Sequence, residues 1–160
     1  MMKKRAILIV LVAMQLIVLF VMAGLRYYTK ENGTDLILLT EPVDLKQMVY
    51  EDTVYLTYDA QRISWSKWEG KTSLKDGEPI YVLFEKKGDI YEPTRVSREK
   101  MKGIVLRAKY QYNDTGFMHV TYGMERYRFS PNTKIESGER KWQVYIKTSP
   151  YHQFVTRILP

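Results

Sequence analysis

An uninterrupted apolar segment at the N-terminus constrains this chain more than any other feature. Residues Ala6 to Leu25 carry no charge, and Gln15 is their one strongly polar side chain. At about 1.5 Å of rise per residue, a helix of this length crosses the roughly 30 Å hydrocarbon core of a bilayer. We therefore predict a transmembrane helix over residues 6–25, preceded by a basic tail over residues 1–5.

The charges flanking this segment predict its orientation. Residues 3–5 are all basic, whereas Arg26, Lys30 and Glu31 on the other side nearly cancel. Because the more positive flank stays in the cytoplasm, we expect a cytoplasmic N-terminus. The rest of the chain would then be extracytoplasmic, held at the cell membrane by a single pass.

A cleaved signal peptide is the alternative for the same segment. Val21 to Ala23 offers residues compatible with a cut after Ala23. The apolar run is longer than the roughly 7–15 residues that signal peptides use, which favours a retained signal anchor.

Composition excludes several classes of site. The chain has no cysteine, so disulfide scaffolds, thiol nucleophiles and cysteine-ligated metals are ruled out. His119 and His152 are the only histidines, and we predict neither a metal nor a cofactor. The net charge of +7 includes the three cations of the tail, and the mild remainder does not favour a nucleic-acid partner.

Strand patterns dominate after the membrane segment. Residues 54–58 alternate between apolar and polar positions, as a half-buried strand does. Turn residues at 86–89 and 113–116, with Gly88 and Gly116, indicate two hairpins.

Helical periodicity is weak in the same region. Only residues 44–50 and 97–102 suit one or two helical turns. Seven or so short strands predict a mainly β fold, a small antiparallel barrel or sandwich over residues 35–160. A short tether over residues 26–34 would join it to the membrane helix.

Residues 51–58 read EDTVYLTY, which is similar to the signature Gly-Asp-Tyr-x-x-Leu-x-Tyr of the GDYXXLXY family of bacterial membrane-anchored proteins. Asp52, Leu56 and Tyr58 match, whereas Glu51 replaces the glycine and Thr53 the first tyrosine. Other blocks resemble the family in the same order, at residues 41–44, 81–84, 105–107 and 122–127. The resemblance implies a membrane-anchored extracytoplasmic domain without an established activity, often found beside a multi-spanning membrane protein.

Five residues of these blocks are candidate binding residues. Asp52 is either an Asx-turn residue before a strand or a functional carboxylate. Tyr58 and Tyr122 suit either strand packing or ligand contact. Glu125 and Arg126 would point to opposite sides of an extended chain, and they suit either a fold-holding ion pair or a recognition site.

Residues 97–100 allow an enzymatic interpretation. Ser97 and Lys100 have the S-x-x-K spacing of penicillin-recognising enzymes, which needs a helix to align the two side chains. Gly103 limits that helix, and Ser97 also suits a capping role. A Ser/Lys-type membrane-anchored hydrolase stays an alternative, and we assign no catalytic residue.

The densest basic stretch, from Arg95 to Lys109, contains six cations and one acid, Glu99. It suggests attraction to anionic lipid or to an acidic polymer of the cell envelope, although an ordinary solvated strand face has the same composition. Our leading prediction is an interaction or accessory module for another membrane protein, with this surface binder as an alternative.

Overall fold

One long helix opens the structure, a computed structural model that describes residues 2–42, 53–129 and 141–159. Helix α1 (Met2–Asn32) has 31 residues. An 18-residue window within Ile7–Asn32 has a mean hydropathy of 2.9, and none of it is buried. The helix is therefore long and apolar enough to span a membrane, although a signal sequence has the same properties. Most of the predicted tether, residues 26–32, is helical.

Ten strands follow the helix in the described part of the chain, and every pairing between them is antiparallel. They are β1 (Thr34–Leu39), β2 (Thr53–Tyr55), β3 (Arg62–Ser64), β4 (Pro79–Lys87), β5 (Ile90–Ser97), β6 (Ile104–Asp114), β7 (Phe117–Thr121), β8 (Arg126–Arg128), β9 (Gln143–Thr148) and β10 (Gln153–Leu159). Short 3₁₀ turns lie at Asp59–Gln61 and Trp65–Lys67.

The strands form three groups. A curled five-stranded sheet has the order β3-β7-β6-β4-β5, a second sheet has the order β1-β9-β10, and β2 pairs with β8. Alternate residues of β9 are buried, as its period-two pattern requires. The predicted antiparallel β fold is confirmed, with the five-stranded sheet curled into a half-barrel.

Both predicted hairpins are present. Gly88 has a φ of +66° between β4 and β5, where a residue with a side chain would be strained. Thr115 and Gly116 have φ values of +42° and +85° between β6 and β7. Two consecutive positive φ values fit the twist of an antiparallel hairpin.

The predicted helical turn at residues 97–102 is wrong. Ser97 ends β5 and its Oγ accepts a hydrogen bond from the Glu99 N–H at 3.1 Å, after which the chain bends. Arg98 is held instead by the loop before β4, where it pairs with Glu78 and donates to the Ser73 carbonyl oxygen at 2.9 Å. These long-range bonds outweigh a local helical preference. The other predicted helical turn, residues 44–50, lies outside the described residues.

The helix is joined to the β domain by a close-packed junction. Gly33 is the only residue between α1 and β1, and its N–H donates to the Thr29 carbonyl oxygen at 2.8 Å. Thr29 is fully buried, and its Oγ1 lies 2.7 Å from the Ser149 Oγ in the turn between β9 and β10. The rings of Tyr28 and Tyr151 meet edge to face, with centroids 6.2 Å apart. These contacts fix the direction in which the domain leaves the helix.

Candidate functional site

The signature segment is bonded to the block that contains Glu125. Strand β2 pairs with β8, and the Leu56 N–H donates to the Glu125 carbonyl oxygen at 2.6 Å. The buried Tyr58 hydroxyl donates to the Met124 carbonyl oxygen at 2.9 Å. Thus Leu56 and Tyr58, two of the residues that match the signature, hold two distant segments of the chain together.

Glu125 lies at the centre of this contact and is only 5% exposed. Its Oε1 accepts hydrogen bonds from the Tyr122 N–H and from the Gln61 amide at 3.1 Å. The Gln61 side chain also accepts from the Tyr58 N–H at 3.0 Å. Among the described residues, no cation pairs with Glu125. Arg126, the next residue and the first of β8, is exposed.

The two tyrosines of this cluster are buried beside that carboxylate. Tyr58 and Tyr122 meet edge to face at 6.3 Å, and the Tyr122 hydroxyl donates to the Ala60 carbonyl oxygen at 2.6 Å. Burial raises the pKa of both phenols well above 10, and the nearby Glu125 charge raises it further. Both phenols therefore stay protonated in the folded protein beyond the pH at which an exposed tyrosine ionises.

We expect the domain to lose stability above pH 10. Because the phenolic pKa is higher in the folded than in the unfolded chain, the contribution of each tyrosine is fully present below pH 10 and falls as the pH rises. The loss is about 1.4 kcal/mol per pH unit for each tyrosine. Urea unfolding of the full chain in detergent at pH 9 and pH 11, followed by tryptophan fluorescence, measures it.

The Tyr58→Phe variant should show a shallower alkaline loss than the parent protein, since it has one fewer titrating phenol. Tyr112→Phe is the matched control, because Tyr112 is 57% exposed. Identical pH profiles for the parent and Tyr58→Phe would contradict the assignment.

The structure thus brings three of the five candidate binding residues together, Tyr58, Tyr122 and Glu125, and buries them. Arg126 lies apart from them at the surface. Asp52 lies outside the described residues. The buried hydrogen bonds of Glu125 and of the two hydroxyls support a structural role for this group, which we call the Glu125 cluster.

An open groove borders this cluster at Tyr122 and lies over β6, the central strand of the curled sheet. Arg107 and Lys109 are exposed on β6, with Tyr81 of β4 opposite Arg107 and Thr121 of β7 opposite Lys109. The turn between β9 and β10 forms the remaining wall. The groove has a volume of about 440 Å³ and is lined by Pro79, Ile80, Tyr81, Arg107, Ala108, Lys109, Thr121, Tyr122, Gly123, Tyr151, His152 and Gln153.

A smaller cavity of about 230 Å³ shares Tyr81 and Arg107 with this groove and adds Lys100 to its wall. None of the described residues that line the two cavities is acidic. Among the described residues, Lys100, Arg107 and Lys109 form no ion pair, whereas Arg95 pairs with Glu69 and Arg98 with Glu78. We call the two cavities together the basic groove.

Gln153 fixes the wall of the basic groove to its floor. Its amide donates to the carbonyl oxygens of Arg107 at 2.8 Å and Tyr122 at 2.7 Å. Its Oε1 accepts from the Arg107 N–H at 2.9 Å. One side chain at the start of β10 therefore ties this wall to β6 and to the residue that follows β7.

Among the described residues, the structure provides neither a metal-binding group nor a helix that aligns Ser97 with Lys100. Across the described ranges, no group of three His, Asp or Glu side chains is placed to hold a metal ion. Ser97 and Lys100 do not share a helical face, because no helix forms there. The geometry that the S-x-x-K spacing requires is therefore missing.

The model of the GDYXXLXY protein family matches residues 15–150. The chain belongs to the GDYXXLXY family. No curated protein and no solved structure matches it. The match includes the signature window and every later block on which the resemblance was based, so the resemblance is confirmed. In this GDYXXLXY protein the described part of the signature, residues 53–58, supplies Tyr58 to the Glu125 cluster, and none of these residues lines the basic groove.

Sequence reasoning found only part of the basic groove in this GDYXXLXY protein. The basic stretch described above contains three cations of the groove, Lys100, Arg107 and Lys109. Its pattern does not indicate that Arg95 and Arg98 are paired with carboxylates from another loop. No sequence pattern indicated that Tyr151 and Gln153 line the groove. Gln153 contacts Arg107, which lies 46 positions earlier, and a contact over that separation leaves no local pattern.

Proposed function

We propose that this protein is a single-pass membrane protein whose extracytoplasmic β domain is an interaction module for another membrane protein. The basic groove receives an acidic segment of that partner. The proposal is supported above all by the turn between β9 and β10, which forms a wall of the groove and also contacts the anchor helix through Ser149 and Tyr151.

If α1 spans the membrane as proposed, that double role brings the groove close to the bilayer surface. Thr29 contacts this turn. It lies four positions after Leu25, the last apolar residue of the uncharged segment, which corresponds to about 6 Å along the helix. The headgroup layer is of similar thickness. A segment that enters the groove therefore approaches along the membrane surface, where loops of membrane proteins lie.

The lining of the groove defines the chemistry of that segment. Three cations without acidic partners among the described residues attract carboxylates, and an arginine can bind a carboxylate through two parallel hydrogen bonds. Tyr81 and Tyr151 add flat apolar surface at either side. An acidic loop with an apolar or aromatic residue fits this combination.

Site-specific photo-crosslinking in native membranes tests the proposal. A photoreactive residue at Thr121, inside the groove, should capture an integral membrane protein. The control position is Lys87. It lies eight residues along β4 from Pro79, a residue of the groove lining, so the two are about 26 Å apart. Arg107→Glu together with Lys109→Glu should reduce the capture at Thr121 at least tenfold. Equal capture at both positions, or none at Thr121, would contradict the proposal.

A second candidate function is binding of an acidic envelope polymer, which is favoured because the described residues that line the groove include three cations and no acid. Inorganic polyphosphate is a suitable probe for the full chain in a neutral detergent. Binding should weaken steeply between low and high salt and should disappear in the Arg107→Glu, Lys109→Glu variant. Binding that ignores salt, or no binding, would eliminate this function.

A further inference from the structure

An open cavity, which we call the wedge, lies between the end of helix α1 and the edge strand β10. Ala23, Arg26, Tyr27 and Lys30 form one wall, and their spacing of three and four residues places them on one face of α1. Residues 154–156 of β10 form the other wall. The cavity has a volume of about 570 Å³. It belongs to neither the basic groove nor the Glu125 cluster.

The cavity is apolar at one end and cationic at the other. Ala23 lies within the last turn of the uncharged segment, whereas Arg26 and Lys30 lie beyond it. Arg26 is stacked over the Phe154 ring, with its guanidinium carbon 5.7 Å from the ring centroid, which holds the charge above the opening. Among the described residues, neither Arg26 nor Lys30 forms an ion pair with a carboxylate.

We propose that this wedge binds one anionic phospholipid from the leaflet at the C-terminal end of the helix. The phosphate lies between Arg26 and Lys30, and the glycerol and upper acyl chain lie against Tyr27, Phe154 and Val155. This proposal rests on the membrane anchorage proposed above.

The position and charge of the wedge favour a lipid over a protein occupant. The apolar residues before Ala23 are exposed along the described helix, with Phe20 75% exposed and Met22 64% exposed, so a membrane-spanning α1 would present them to lipid. The wedge opens at the boundary between these residues and the first cations, which is the depth of phospholipid phosphates. Two cations one helical turn apart, about 6 Å, match a single phosphodiester better than an apolar transmembrane helix.

Native mass spectrometry of the full chain, released from vesicles of phosphatidylcholine and phosphatidylglycerol in equal amounts, tests the proposal. The parent protein should retain one phosphatidylglycerol in preference to phosphatidylcholine. The Arg26→Gln, Lys30→Gln variant should lose this preference, by about fivefold for each cation removed. The matched control is Lys86→Gln, Lys87→Gln, which removes the same charge at the exposed turn between β4 and β5.

The intact mass from the same spectra separates the two proposals. A chain that lacks the N-terminal helix would overturn both the membrane anchorage and the lipid site. A full-length chain that retains the two lipids equally, or that loses selectivity only in the control, would overturn the lipid site alone. A full-length pair of copies without bound lipid would show that a second copy fills the wedge, and it would also overturn the lipid site.

Discussion

Glu125→Ala is expected to lower the free energy of unfolding of the domain by about 2–4 kcal/mol. The substitution removes the acceptor for the buried Tyr122 N–H and for the Gln61 amide. A buried donor left without a partner costs about 1–3 kcal/mol, and hydrogen bonds to charged groups lie at the upper end of the scale. Urea unfolding of the full chain in detergent, followed by tryptophan fluorescence, gives the difference.

Two further variants show whether the hydrogen bonds cause this loss. Glu125→Gln keeps an oxygen acceptor and should recover at least half of the lost stability. Arg126→Ala changes the exposed neighbour and should stay within about 0.5 kcal/mol of the parent protein. If Glu125→Ala were no worse than Arg126→Ala, the Glu125 cluster would not hold the fold together.

Gly33→Ala is expected to disrupt the junction between helix α1 and the β domain. A Cβ at this position would clash with the Thr29 carbonyl oxygen of α1 and would lie 3.0 Å from the Thr148 carbonyl oxygen of β9. Both atoms belong to the backbone, so the chain around Gly33 must rearrange and the end of the helix must separate from β9. Overpacking of this kind costs about 1–3 kcal/mol.

Engineered cysteines can report that movement, because the chain has none of its own. Thr29→Cys with Ser149→Cys should form a disulfide readily in the parent background, since the two hydroxyl oxygens lie 2.7 Å apart. Adding Gly33→Ala should slow disulfide formation at least tenfold. Gly24→Ala is the matched control, because nothing lies within 4 Å of its added Cβ. Equal rates in the two backgrounds would show that the junction tolerates the methyl group.

The parts of the fold that the sequence predicted are those set by local rules. Gly88 marks a hairpin because its backbone needs a positive φ. The alternation around residues 54–58 agrees with the burial of Val54, Leu56 and Tyr58 between more exposed neighbours. The apolar segment was recognised from length and composition alone.

The parts that sequence reasoning missed depend on contacts between distant residues. Residues 26–32 looked like a tether, yet Thr29 is buried against Ser149, 120 positions later, and the helix continues there. Ser97 failed to start a helix because Arg98 is held by Glu78. The basic groove could not be predicted for the same reason. The turn between β9 and β10 forms one of its walls, and that turn is remote in sequence from Arg107.

The pairing of β1 with β9 has a consequence for biogenesis. Thr34, two residues after the end of α1, pairs with Thr148, 114 positions later. The junction between the helix and the β domain therefore cannot close until the chain has been synthesised as far as β9. Loop closure over so many residues slows folding. Until β9 is available, β1 has no strand partner among the described residues, and its open edge can pair with another chain instead.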